Sequence, residues 1–171
     1  MRKIKLATIL LLLILTLSFF FRFYKLKEVP WGIHQDAVSQ AYNAFSILQT
    51  GKDRYGEFFP ILFRSFGSYQ PPLYTYLTII PIMFFGNTIY SSRVVSALSG
   101  VLAVALTYLI ISHLFRRDKN NKIGLLASLL LAVSPWAIFF SRMTVEANLA
   151  LTVFLLGYYL LLKSLDNIRF F

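Results

Sequence analysis

Residues 71–85 read PPLYTYLTIIPIMFF, and whether they cross a membrane decides how the chain folds. The run is apolar enough for hydrocarbon but short. A helix rising ~1.5 Å per residue needs about 20 residues to cross a layer ~30 Å thick. The segment also opens on Pro71-Pro72 and carries Pro81. Tyr69, Tyr74 and Tyr76 suit the headgroup level, where amphipathic rings settle. The segment Pro72–Phe85 therefore reads as a helix lying in, or dipping from, the outer interface.

The rest of the chain supplies the membrane context. Its 171 residues are 57% hydrophobic and 17% aromatic, more apolar than a water-soluble domain needs. The excess falls in blocks at Leu6–Phe21, Tyr90–Phe115, Ile123–Phe140 and Asn148–Leu162. These predict four spans. The first follows a basic start but ends in Phe19, Phe20, Phe21 and Arg22, with no small-residue cleavage site, so it reads as an uncleaved span. The expected fold is an all-α integral membrane protein with four transmembrane helices and two outer juxtamembrane helices. It forms one membrane domain, with a first span at 1–21, an outer loop at 22–89 and three further spans at 90–171.

Charge sets the orientation. Arg2, Lys3 and Lys5 place the N-terminus in the cytoplasm by the positive-inside bias. With Pro72–Phe85 not crossing, Arg116, Arg117, Lys119 and Lys122 also fall inside, as do Lys163 and Arg169. The turn FSRMTVEAN at 140–148 then shares the outer side with Arg22–Tyr69. The net charge of +10 is explained by this topology and points to no nucleic acid. Cysteine is absent, which removes thiolate chemistry and disulfides.

Within the outer loop, Asp36–Gln49 has helical periodicity. Asp36, Ser39, Gln40, Asn43 and Ser46 fall on one side, and Val38, Ala41, Phe45 and Leu48 on the other. Thr50-Gly51 marks its end. The expected pose is flat on the membrane, apolar face down and polar face toward a water-filled cleft.

Several residues carry candidate chemistry. Asp36 is either an acid favoured at a helix N-terminus by capping and dipole or a general base at the membrane surface. Glu146 is either an interfacial ion pair with Arg142 or an acid of the same outer site. Arg64, Arg93 and Arg142 have guanidinium groups suited to a lipid phosphate, or they merely snorkel. His34 is a metal or Asp36 partner, or a hydrogen-bonded loop residue. Ser96, Gly100, Ala103 and Thr107 form a small-residue seam for helix packing. No phosphate-cradling glycine loop, Ser-His-Asp set or dense metal cluster occurs.

Taken in order, DAVSQAYNAFSILQTGKDRYGEFFP, FGSYQPPLYTYL, FGNTIYSSRVVSALSGVLAVALTYLI and LLASLLLAVSPWAIFFSRMTVEANLAL resemble the N-terminal portion of GT-C membrane glycosyltransferases. The similarity is to their protein O-mannosyltransferase, aminoarabinose-transferase and Rgt-like branches. The resemblance implies inverting transfer of a sugar from a polyprenyl-phosphate donor to an acceptor glycan, lipid or protein at the outer face of the plasma membrane. It implies that Asp36 takes the first position of the family's frequent Asp-Glu pair, and that Glu146 completes the site. Ala37 stands where many relatives have Glu, and Gln70 where several have Lys at a substrate-binding position. A divalent cation stays open, with no metal ligand assigned. Such relatives carry about a dozen spans, so the chain is expected to be the front part of a longer enzyme. The alternatives are a non-catalytic membrane subunit or truncated remnant, or a transporter fragment, whose acids would sit near the bilayer midplane.

Overall fold

The computed structural model describes residues 6–118 and 120–168. Arg2, Lys3, Lys5, Lys119 and Arg169, used above to orient the chain, lie outside the described residues. In chain order the elements are α1 (Leu6–Phe23), α2 (Gln35–Thr50), β1 (Phe63–Ser65), β2 (Ser68–Gln70), α3 (Pro72–Phe85), α4 (Ile89–Leu114), α5 (Lys122–Val133), α6 (Pro135–Ser141) and α7 (Glu146–Ile168). The protein is an all-α integral membrane protein apart from one short hairpin.

Helices α1, α4 and α7 are each long and apolar enough to cross a membrane, and α5 with α6 passes as a pair bent by 60°. The third predicted span is thus broken rather than continuous. The break has a local cause. Pro135 has no N–H to give the carbonyl four residues back, and its ring disfavours helix at Ser134. Ser134 is extended, at φ −59° and ψ 119°. The carbonyls of Leu131 and Ala132 lose their helical donors here, and the buried guanidinium of Arg22 reaches both, at 3.4 and 3.2 Å.

The pair still traverses the bundle. Lys122 at its start lies with Leu10 and Leu13 of α1, and Arg142 at its end bonds the carbonyls of Phe21 and Tyr24. Helices α4 and α7 run parallel. Asn148 and Thr152 donate to the carbonyls of Ser96 and Ser99 near their starts, while Asp166 pairs with Arg116 and His113 near their ends. Three successive passes therefore alternate in direction. The end of α1 and the starts of α4 and α7 share one end of the bundle.

Helix α4 is the hub, in contact with α1, α3, α5, α6 and α7. Half of its apolar window is buried, against 17% for α1 and 11% for α7. Its small-residue seam is what allows this. A Cβ built on Gly100 would lie 2.2 Å from Ser141 Oγ and 2.6 Å from Arg22 Nε. The main apolar cluster joins Ile14, Val104, Leu125 and Ala132.

Helix α3 matches its predicted bounds and packs against the start of α4. Tyr74 near its start packs on Val95 and donates to the Ser92 carbonyl at 2.7 Å, while Phe85 at its end stacks edge-on against Tyr90. The twelve residues from Tyr74 to Phe85 span about 16 Å of helix, and these contacts near their two ends fall on α4 between Tyr90 and Val95.

Helix α2 runs as predicted to within a residue, and Gly51 ends it in the left-handed region at φ 72°, where glycine carries no Cβ penalty. Its pose differs from expectation. Ser39, Gln40 and Asn43 are fully buried, and Val38 and Tyr42 are exposed. The polar face turns into the protein because the groups it meets, Glu146, Arg54 and the hairpin, are themselves polar.

The hairpin was not apparent in the sequence. Phe63 pairs with Gln70, and Ser65 with Ser68. Phe66 and Gly67 both have positive φ, 37° and 87°, the left-handed pair that a two-residue hairpin turn requires.

Candidate active site

The hairpin meets the start of α2. Alternation along β1 turns Phe63 and Ser65 inward and Arg64 outward. Ser65 Oγ donates to Asp36 Oδ1 at 3.2 Å. At the far end of β2, Gln70 Nε2 lies 3.3 Å from the same oxygen and 3.2 Å from the Asp36 carbonyl. One carboxylate oxygen of Asp36 is held by two donors. For Oδ2, no hydrogen bond occurs among the described residues.

One turn along α2, Gln40 Nε2 donates to Glu146 Oε2 at 2.7 Å. Asp36 and Gln40 stand at i and i+4, so they share a face of the helix. The two candidate acids thereby flank a single stretch of α2 about 6 Å long. Both are partly exposed. Glu146 opens α7 and adds a favourable interaction with its N-terminus. It does not pair with Arg142, the local alternative considered above.

His34 caps α2, its Nδ1 accepting from Ala37 N–H at 3.4 Å. That role leaves Nε2 to donate to the Thr144 carbonyl, 3.1 Å away. Both ring nitrogens are engaged by the chain, and the imidazole ties α2 to the turn before α7. Asp36 sits inside the first turn instead of at the cap.

The arginines divide. Arg142, largely buried, donates to the carbonyls of Phe21, Tyr24 and Val29. Burial lowers its pKa from the ordinary arginine value. Arg93 donates to the carbonyls of Leu26, Pro30 and Gly32 at 2.8, 2.9 and 2.6 Å. Together they close the loop after α1 over the starts of α4 and α7. Arg93 also lines a cavity of about 380 Å³ with Trp31, His34 and Thr144. Arg64 is exposed beside Tyr55, on the hairpin side away from Asp36. The structure therefore brings Asp36, Gln70, Glu146 and His34 together, sets Arg93 and Arg142 beside them, and leaves Arg64 apart.

Among the residues not singled out from the sequence, Gln40 and Ser65 touch the two acids directly. Gln40 was visible only as the i+4 neighbour of Asp36. Tyr74 is another. Burial holds its phenol above the ordinary range, so it remains an O–H donor to the Ser92 carbonyl. Thr144 Oγ1 donates to Ser92 Oγ at 3.0 Å, which fixes the turn beside Glu146.

The sequence profile of the dolichyl-phosphate-mannose-protein mannosyltransferase family matches residues 69–169, about three-fifths of the chain. The chain belongs to this family. It is thus a member of a group of membrane glycosyltransferases that use a lipid-linked sugar donor. The matched region contains Gln70, Arg93, Arg142 and Glu146, and begins after His34, Asp36 and Arg64. No curated protein and no solved structure matches the chain. Among the described residues no group of three or more His, Asp or Glu side chains is placed to hold a metal ion.

Proposed function

We propose that the protein acts in transferring a sugar from a polyprenyl-phosphate donor to an acceptor hydroxyl at the outer face of the plasma membrane. Its N-terminus is then cytoplasmic, and the layer of residues 22–89 covers the outer ends of the spans. The acceptor oxygen attacks the anomeric carbon as the bond from that carbon to the phosphate oxygen breaks. The proton passes to Asp36, the lipid phosphate leaves, and in-line attack inverts the anomeric centre.

The observation that carries this reading is a pair of restrained carboxylates, Asp36 on α2 and Glu146 on α7, the second bonded to the same face of α2 through Gln40. A hydroxyl is a poor nucleophile near neutral pH and needs a positioned base. Asp36 is held through Oδ1 by Ser65 and Gln70, which leaves Oδ2 to take a proton. Glu146 lies one turn along and suits the binding of acceptor hydroxyls. Arg93 and Arg142 act by organising the loop that roofs the site, since most of their N–H groups already meet carbonyls.

The test is Asp36→Asn in the full-length protein, reconstituted with a radiolabelled polyprenyl-phosphate sugar. Loss of a positioned base lowers transfer by about 10²–10⁴-fold, with membrane insertion unchanged. Transfer at the original rate would remove Asp36 from the reaction.

A further inference from the structure

The loop between α2 and β1 ends in EFFPILF, residues 57–63. Its burial alternates sharply. Pro60 and Phe63 point inward, while Phe58, Phe59, Ile61 and Leu62 stand out, Ile61 at 84% and Phe58 at 66% exposure. Four large apolar side chains in five residues are more than half exposed, the Phe58 and Phe59 rings lying over Gly51.

They are held there. Phe63 is fully buried, edge-on to Tyr76 of α3 with ring centroids 5.5 Å apart. Tyr76 Oη donates to the Pro60 carbonyl at 2.8 Å. Upstream, Phe59 N–H bonds the Gly51 carbonyl at 3.2 Å. Asp53 Oδ1 accepts from the N–H groups of Tyr55 and Glu57, both at 2.9 Å. The loop is pinned on both sides, so the apolar tip is a built surface.

Its surroundings identify what it meets. Lys52 bridges to Phe58 through the backbone at one side of the tip, and Arg54 donates to the carbonyl of Arg64, two residues past Leu62, at the other. The Arg54 guanidinium lies 4.9 Å from both the Tyr55 and the Phe66 ring, and Arg64 lies 5.7 Å from Tyr55. Apolar side chains bordered by tyrosines and cations match the layering of a lipid leaflet, with hydrocarbon below, aromatic rings at the headgroups and cations at the phosphates. The surface is also continuous with α3 through the Tyr76–Pro60 contact, and α3 exposes Ile80, Met83, Phe84 and Phe85.

We infer that Phe58–Leu62 is a membrane anchor, dipping into the phospholipid leaflet on which α3 lies. The anchor continues directly into β1, whose Ser65 holds the Asp36 carboxylate. It ties the height of that carboxylate to the lipid surface, whatever reaction the carboxylate serves.

The natural chain has no cysteine, so a single reporter can be placed cleanly. Ile61→Cys and Leu62→Cys, each carrying a nitroxide, are compared in vesicles of phosphatidylethanolamine and phosphatidylglycerol. Leu12→Cys on α1 is the lipid-facing control and Lys27→Cys the aqueous one. At positions 61 and 62 dissolved oxygen should relax the spin more strongly than a water-soluble nickel chelate, as at position 12. Dominance by the nickel chelate at both positions would show a water-facing loop. Protection from both reagents would show a protein-covered one. Either result overturns the anchor.

Discussion

Glu146 accepts a 2.7 Å hydrogen bond from Gln40, 106 residues earlier in the chain. The bond joins the surface helix α2 to the first residue of α7. It is charge-assisted and half-buried, the kind worth about 1.5–3 kcal/mol. Gln40→Met and Glu146→Gln should each lower thermal stability in detergent. The double variant should lose less than the two losses added together, by an amount in that range. Strict additivity would mean that the two side chains do not meet in the membrane.

Arg142 has the heaviest donor load in the loop region. Replacing it with Leu leaves the carbonyls of Phe21, Tyr24 and Val29 without these donors, each at a cost of about 1–3 kcal/mol when buried. A loss of roughly 3–5 kcal/mol is expected. Arg142→Lys should recover only part of it, because an ammonium lacks the planar fork that reaches separate carbonyls. Limited proteolysis between residues 24 and 34 reports the result directly. A loop as resistant in Arg142→Leu as in the natural chain would show that the arginine does not close it.

These contacts show where sequence reading reaches its limit. The spans at α1 and α4 and the helix bounds of α2 and α3 were legible, because hydropathy, proline placement and Thr50-Gly51 are local signals. The break at Ser134–Pro135 was signalled by Pro135 but passed over, since the apolar run continues through it; that Arg22, far away in sequence, takes up its carbonyls had no local signal. The inward turn of Ser39, Gln40 and Asn43 was hidden for a related reason. A polar stripe looks the same whether it meets water or another polar surface. Asp36 and Glu146 were identifiable as acids near spans, and Gln40 only as a member of the polar face of Asp36, while Ser65 had no signal, because an uncharged donor acquires meaning only from what it touches.

Gly100 leaves no room for a side chain where α4 meets α1 and α6. The Cβ of Gly100→Ala would meet Ser141 Oγ and Cβ at 2.2 and 2.7 Å and Arg22 Nε at 2.6 Å. A crowded, hydrogen-bonded neighbourhood cannot give way cheaply, so the change should cost about 1–3 kcal/mol by overpacking, and Gly100→Val more. Gly157→Ala is the control, with open space around its Cβ. It should be neutral or mildly stabilising, since alanine favours helix by about 1 kcal/mol over glycine. Equal melting temperatures for the Gly100 and Gly157 variants would mean that α4, α1 and α6 pack less closely than described.

The alternating passes make a labelling prediction. Met143 lies between α6 and α7 at the end of the bundle that carries α2, and Arg117 lies just past α4 at the other. With the N-terminus cytoplasmic, Met143→Cys should react with a membrane-impermeant maleimide added to intact cells. Arg117→Cys should react only after permeabilisation. Reversal of both patterns would keep the fold and invert its orientation, moving Asp36 and Glu146 to the cytoplasmic face. Reaction of both residues from the same side would mean that α5 and α6 form a re-entrant loop. That is hard to reconcile with a pair that begins beside Leu10 and ends on the carbonyls of Phe21 and Tyr24.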